Sequence, residues 1–161
     1  ALLAKRSEAE LADLLLENAD EPFAGPIAAA LAASAEPVTR TRQLAALVAS
    51  VLAEAGWDRR DPEVRASQQR TFQALRIAVN DEFGVLDAFL ACLPRALRPG
   101  GRVAILTFHS GEDRRVKKAF QEGHRLGLYA AVADAPQRPS PEERRDNPRS
   151  APAKLRWAVL R

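Results

Sequence analysis

The chain has 161 residues, 47% of them apolar, which is the length of one ordinary domain with enough apolar surface for a packed core. Its apolar stretches, such as residues 28–33 and 103–108, fall far short of the ~20 residues that span a bilayer, so no membrane partner is expected. The net charge of +3 conceals an asymmetry: residues 1–37 carry −5, residues 38–94 balance, and residues 95–161, with fifteen basic and seven acidic side chains, carry +8.

A basic carboxy-terminal part points to a polyanion, because phosphate neutralisation is the sequence-independent source of nucleic-acid affinity. At this stage a solvated basic surface with no partner explains the charge equally well. The single cysteine, Cys92, has no internal disulfide partner and fits a reducing compartment. Its position on an apolar helical face makes packing its expected role. The chain begins at Ala1 and contains no methionine, so we expect a piece of a longer protein.

The first 56 residues predict three short helices. Ser7, three residues before Glu10, opens the first with a capping box, and Leu11, Leu14 and Leu15 recur at helical spacing until Asn18. Pro22 opens a second through Ile27 and Leu31. Thr39 or Thr41 caps a third, with Leu44, Leu47, Val48, Val51 and Leu52 on one face and Gly56 at its end. None buries its apolar face alone, so the three are expected to pack together. Residues 57–66, charged and carrying Pro62, predict a linker.

Periodicity resumes at 68–80, where Phe72, Leu75, Ile77 and Val79 predict a helix, and at 85–98, where Pro94 predicts a kink or early stop. Pro99-Gly100-Gly101 is a turn, and residues 103–108 form an apolar run that predicts a central strand covered on both faces. A helix from Glu112 to about Gln121 should follow it, then strands at 128–134 and 154–161. The five prolines and charge run of 135–152 predict an extended loop between those strands. Helix, turn, buried strand and helix in that order is the grammar of a doubly wound α/β sheet.

In such a sheet ligands bind beyond the carboxyl ends of the strands, where the turn after Phe108 delivers His109, Ser110, Glu112 and Asp113. His109 is suited to hydrogen-bonding a base or carrying a proton near neutral pH, and equally to being satisfied by a neighbour. Ser110 is suited to a phosphate contact, while Ser110-x-x-Asp113 also has the form of a capping box. Arg114 and Lys118 lie side by side on the following helix, and Asn80, at a helix end, is a cap or a binding residue. No glycine-rich strand-turn-helix element occurs, the two histidines and one cysteine make no metal-ligand pattern, and no Ser/His/Asp arrangement suggests acyl transfer.

Four segments carry a family likeness. The run from Arg70 to Glu82, RTFQALRIAVNDE, then Pro99-Gly100-Gly101-Arg102-Val103-Ala104-Ile105, then Phe108-His109-Ser110-x-Glu112-Asp113-Arg114, and finally Asn147-Pro148-Arg149-Ser150 with Ala153-Lys154-Leu155-Arg156, resemble the MraW family of small-subunit rRNA (cytosine-N4)-methyltransferases. Four motifs in this order and at sensible spacing are specific. Glu21-Pro22-Phe23-Ala24 and the run from Val38 to Ala45 look like the helical insertion of these enzymes. The resemblance then covers nearly the whole chain.

It implies the carboxy-terminal half of a class I, Rossmann-like α/β methyltransferase sheet, residues 67–161, preceded by a helical substrate-binding insertion, residues 1–56. It also implies S-adenosylmethionine as cofactor, small-subunit rRNA or the 30S subunit as partner, a cytoplasmic location, and Asn80, His109, Ser110, Arg114, Arg149 and Arg156 as residues that hold RNA. The family's glycine-rich cofactor turn precedes its helical insertion and has no counterpart in these residues. A non-catalytic RNA-binding or ribosome-assembly protein of the same family is the competing expectation. Arg65-Ala66-Ser67-Gln68-Gln69 replaces the family's His-Pro-Ala-Thr, and Gly111 stands where a bulky apolar residue is usual.

Overall fold

The computed structural model describes residues 2–161, which form two compact units, one ending at Glu82 and the other running from Phe83 to Arg161. The first is wholly helical: α1 (Glu8–Ala19), α2 (Ala24–Ala32), α3 (Thr41–Glu54) and α4 (Pro62–Asn80). α1 starts on the expected capping box, in which Ser7 Oγ accepts from the Glu10 N–H and the Glu10 carboxylate accepts from the Ser7 N–H at 2.8 Å. It stops at Asp20, whose φ of 49° is a left-handed value that aspartate tolerates better than most residues. α3 is capped by neither threonine; Gln43 Oε1 reaches back to accept from the N–H groups of Thr39 and Arg40.

α4 begins at Pro62, on an Asp61 cap, so the expected linker at 57–66 already contains the first turn of a helix. Its inner face also differs from the expected apolar stripe. Val64, Ser67, Thr71, Ala74 and Ile77 are buried while Val79 is 67% exposed, because close packing on α1 admits small side chains along this face. Leu14, Leu15, Ile27, Val48 and Leu52 complete the core. Within it the fully buried Glu21 accepts from the Phe23 N–H and Ser67 Oγ, both at 3.0 Å, and from Arg70 Nε at 2.9 Å; Arg70 also pairs with Glu63. A carboxylate is kept inside a core only by such multiple partners.

The second unit is mixed α/β: α5 (Glu82–Ala96, its first residue belonging to the helical unit), β1 (Arg102–Thr107), α6 (Ser110–Arg125), β2 (Tyr129–Val132), α7 (Pro141–Asp146) and β3 (Lys154–Leu160). α5 runs through Pro94 without stopping there. The strands form one antiparallel sheet in the order β1-β3-β2, with Ala104 opposite Trp157 and Val132 opposite Ala158. Val103, Ile105, Ala158 and Leu160 pack with Leu90, Leu93, Val116 and Phe120 of α5 and α6. Tyr129 lies so close on α6 that a Cβ at Gly123 would come within 2.5 Å of its ring.

Of the central strand covered on both faces that the sequence leads one to expect, the described residues supply one covered face and one neighbouring strand. Among the described residues β1 is an edge strand, and exposure alternates along it, with Arg102, Ala104 and Leu106 open on the face away from the helices. Its central side chains, Val103 to Leu106, are apolar, and Val103 and Ile105 are the ones that pack on the helices. The stretch 135–152 is likewise more ordered than a loop: α7 and a 3-10 turn at Pro148–Ser150 occupy it.

Candidate RNA-facing site

The turn from β1 into α6 is built by capping. The helix begins at Ser110, one residue earlier in register than a Ser110 cap would place it, and His109 is the N-cap. The His109 ring accepts through Nδ1 from the Glu112 N–H at 3.4 Å, a long bond, and its Nε2 lies 3.3 Å from Glu112 Oε1. Glu112 in turn accepts from the Phe108 N–H at 2.9 Å. His109 is only partly exposed and packs against Phe83 at 5.9 Å between ring centroids. The local geometry thus uses His109 to organise the turn, while Ser110 and Arg114 are exposed on the first turn of α6.

Phe83 also accounts for Gly111. A Cβ at Gly111 would lie 2.5 Å from Cζ of Phe83, so that ring fills the space which a bulky side chain at position 111 would need. Arg115 lies over the ring, its Cζ 3.8 Å from the centroid, and pairs with Asp87 at 3.3 Å.

Asp113 does not complete a capping box with Ser110. It turns inward, where it accepts from Arg156 Nε at 2.6 Å and from Lys154 Nζ at 3.2 Å, tying α6 to β3. Burial raises the Asp113 carboxyl, but the hydrogen bonds and charges of Arg156 and Lys154 outweigh it and hold the group below its ordinary value. The Arg156 side chain is 7% exposed. The guanidinium of Arg156, expected to contact RNA, is buried and committed to Asp113. Asp113 and Arg156 both stand inside segments that carry the family resemblance, but their spacing of 43 positions gives no sign of the pair.

Arg149 is exposed on the 3-10 turn before β3 and lines a cavity of about 660 Å³ with Phe108 and Arg138. The cavity brings together the end of β1 and the segment before β3, which sequence spacing did not reveal. Asn80 belongs to the helical unit; its Nδ2 donates to Glu82 Oε1 at 3.1 Å, beside an Arg76–Glu82 pair of 2.8 Å, and Asp81 serves as the helix cap.

The residues present do not form a cradle for S-adenosylmethionine. The turn into α6 is the one strand-to-helix turn of the described sheet that leads straight into a long helix; it carries no glycine-rich loop, and the His109 ring and the Glu112 carboxylate take up the Glu112 and Phe108 N–H groups. The glycines with positive φ, Gly56, Gly100 and Gly127, all follow helices instead. No cluster of metal-ligating side chains occurs among the described residues, and none of the described helices is long and apolar enough to cross a membrane.

Fold and site together define a helical unit followed by a mixed α/β unit whose residues 95–161 carry a basic excess. The chain belongs to the MraW methylase family, which it matches over residues 1–160. It is 46% identical over 156 residues to ribosomal RNA small subunit methyltransferase H 1 of Lachnoclostridium phytofermentans, covering 95% of this chain and 43% of the relative. It is 48% identical to ribosomal RNA small subunit methyltransferase H 2 of Alkaliphilus metalliredigens, over 95% of this chain and 45% of the relative. The corresponding protein of Acidobacterium capsulatum is 42% identical over 94% of this chain and 49% of its own length. The chain therefore spans less than half the length of these relatives.

Proposed function

We propose that this chain is the RNA-facing part of an S-adenosylmethionine-dependent methyltransferase that modifies the N4 amine of a cytosine in small-subunit rRNA. The family match along 1–160 carries the reading. The +8 balance of residues 95–161 and the names of the relatives support it. An antiparallel β3 between β1 and β2 suits the closing strands of a class I methyltransferase sheet, with residues 67–161 belonging to that domain and residues 1–56 to a substrate-binding insertion. The substrate is the 30S subunit or its RNA, in the cytoplasm. Ser110, Arg114 and Arg149 contact RNA directly, Asn80 contributes from the helical unit, and His109 and Arg156 position the edge on which the contacts stand. The protein's part in such a reaction is chiefly alignment of the amine, for which orientation alone is worth several kcal/mol, roughly 7–11 in favourable cases.

Incubated with small-subunit rRNA and methyl-labelled S-adenosylmethionine, the full-length gene product should transfer label to RNA. Residues 1–161 alone should transfer none and give no saturable heat on calorimetric titration with the cofactor. Micromolar binding by residues 1–161 would contradict the division of labour, and no transfer by the full-length product would contradict the activity.

A further inference from the structure

We propose that the cavity between the end of β1 and the segment before β3 is a subsite for one unstacked nucleotide of a single-stranded RNA. The inference rests on the RNA-modifying reading above and adds where, and by which side chains, one nucleotide of the strand is held. The cavity, about 660 Å³, has the size of a small-ligand site.

Its frame is fixed by backbone bonds. Gln137 exchanges two 2.9 Å hydrogen bonds with Leu155, the Ser150 N–H donates to Asn147 O at 2.9 Å, and the Ala153 N–H donates to Ser150 O at 2.8 Å. Three features of the lining then point to a nucleotide. Phe108 is 52% exposed, a large ring with an open side where a base can stack. Arg138 and Arg149 are both exposed, and among the described residues neither makes a hydrogen bond or ion pair, which leaves two guanidiniums for phosphate. Ser150, 5% exposed, carries a buried hydroxyl without a partner, and Asn147 belongs to the same lining. A buried unsatisfied hydroxyl is rare and marks a place where a ligand atom completes the bonding. The lining carboxylate, Glu143, supplies an acceptor for a ribose hydroxyl or a base amine. An acidic peptide would also engage the two arginines, but it has no planar base to stack on the open Phe108 ring.

Labelled single-stranded oligoribonucleotides titrated into the full-length gene product at several salt concentrations test this. Phe108→Ala should weaken binding about tenfold with the salt slope unchanged, since stacking carries no charge, and Phe108→Tyr should restore it. The double variant Arg138→Gln/Arg149→Gln should weaken binding and make the salt slope shallower by about 1.4, at ~0.7 per phosphate contact on a single strand. All these positions are exposed, so melting curves should stay as in the wild type. If Phe108→Ala and the double variant bind as the wild type does, the subsite is wrong and the cavity is filled by another segment or a protein, while the RNA reading stands. If the wild type binds no RNA even at low salt, the RNA reading itself fails.

Discussion

Asp113→Ala should destabilise the α/β unit by about 4 kcal/mol, because it strands a buried guanidinium and removes the partner of Lys154. Both partners are well shielded, with side-chain exposures of 7% for Arg156 and 20% for Lys154, so solvent screens the loss little. Chemical denaturation followed by hydrogen exchange should show the loss concentrated in residues 83–161. The pair also sets a pH dependence. The folded carboxyl is held below its ordinary value of 3.8, so the stabilisation is complete above that pH and disappears as pH falls through the lower folded value. The wild type should therefore lose stability below about pH 4 more steeply than the Asp113→Ala variant. Equal acid profiles for the two proteins would show that the pair contributes nothing.

Glu21→Ala should cost the helical unit about 3 kcal/mol, since it leaves the Ser67 hydroxyl and the Phe23 N–H unpaired and empties the volume of a fully buried side chain. Arg70 keeps Glu63, which limits the damage. Urea denaturation of the Glu21→Ala and Ser67→Ala variants separates the contributions, with Ser67→Ala expected to cost about 1 kcal/mol. A neutral Glu21→Ala would mean that the network is not what holds the turn between α1 and α2 to α4.

Most of the elements were legible in the sequence, and the reasons for the misses are physical. Capping is local, so the Ser7–Glu10 box placed α1 correctly. Turn register is not wholly local: Ser110-x-x-Asp113 and His109-x-x-Glu112 both have capping form, and Asp113 is decided by Arg156, 43 positions away. The apolar run of β1 marked it as a strand built for contact on both faces, but neither hydropathy nor spacing says which strands stand beside it. The small residues on α4, Ser67 and Thr71, face the core because α1 packs close to that side; an apolar stripe alone favoured Phe72 and Val79. At the site, the motifs named Arg149 and Ser150 and pointed to Arg156, but only the fold distinguishes the exposed Arg149 from the buried Arg156. Phe108 lies in a quoted motif, but its place beside Arg138 needs the return of the chain through β3.

The measurement that bears most directly on the proposed activity is mass spectrometry of small-subunit rRNA from cells in which the gene is deleted and then restored. One N4-methylated cytosine should vanish on deletion and return with the wild-type gene. An unchanged N4-methylcytosine content, or loss of a modification on a different atom or base, would contradict the assignment.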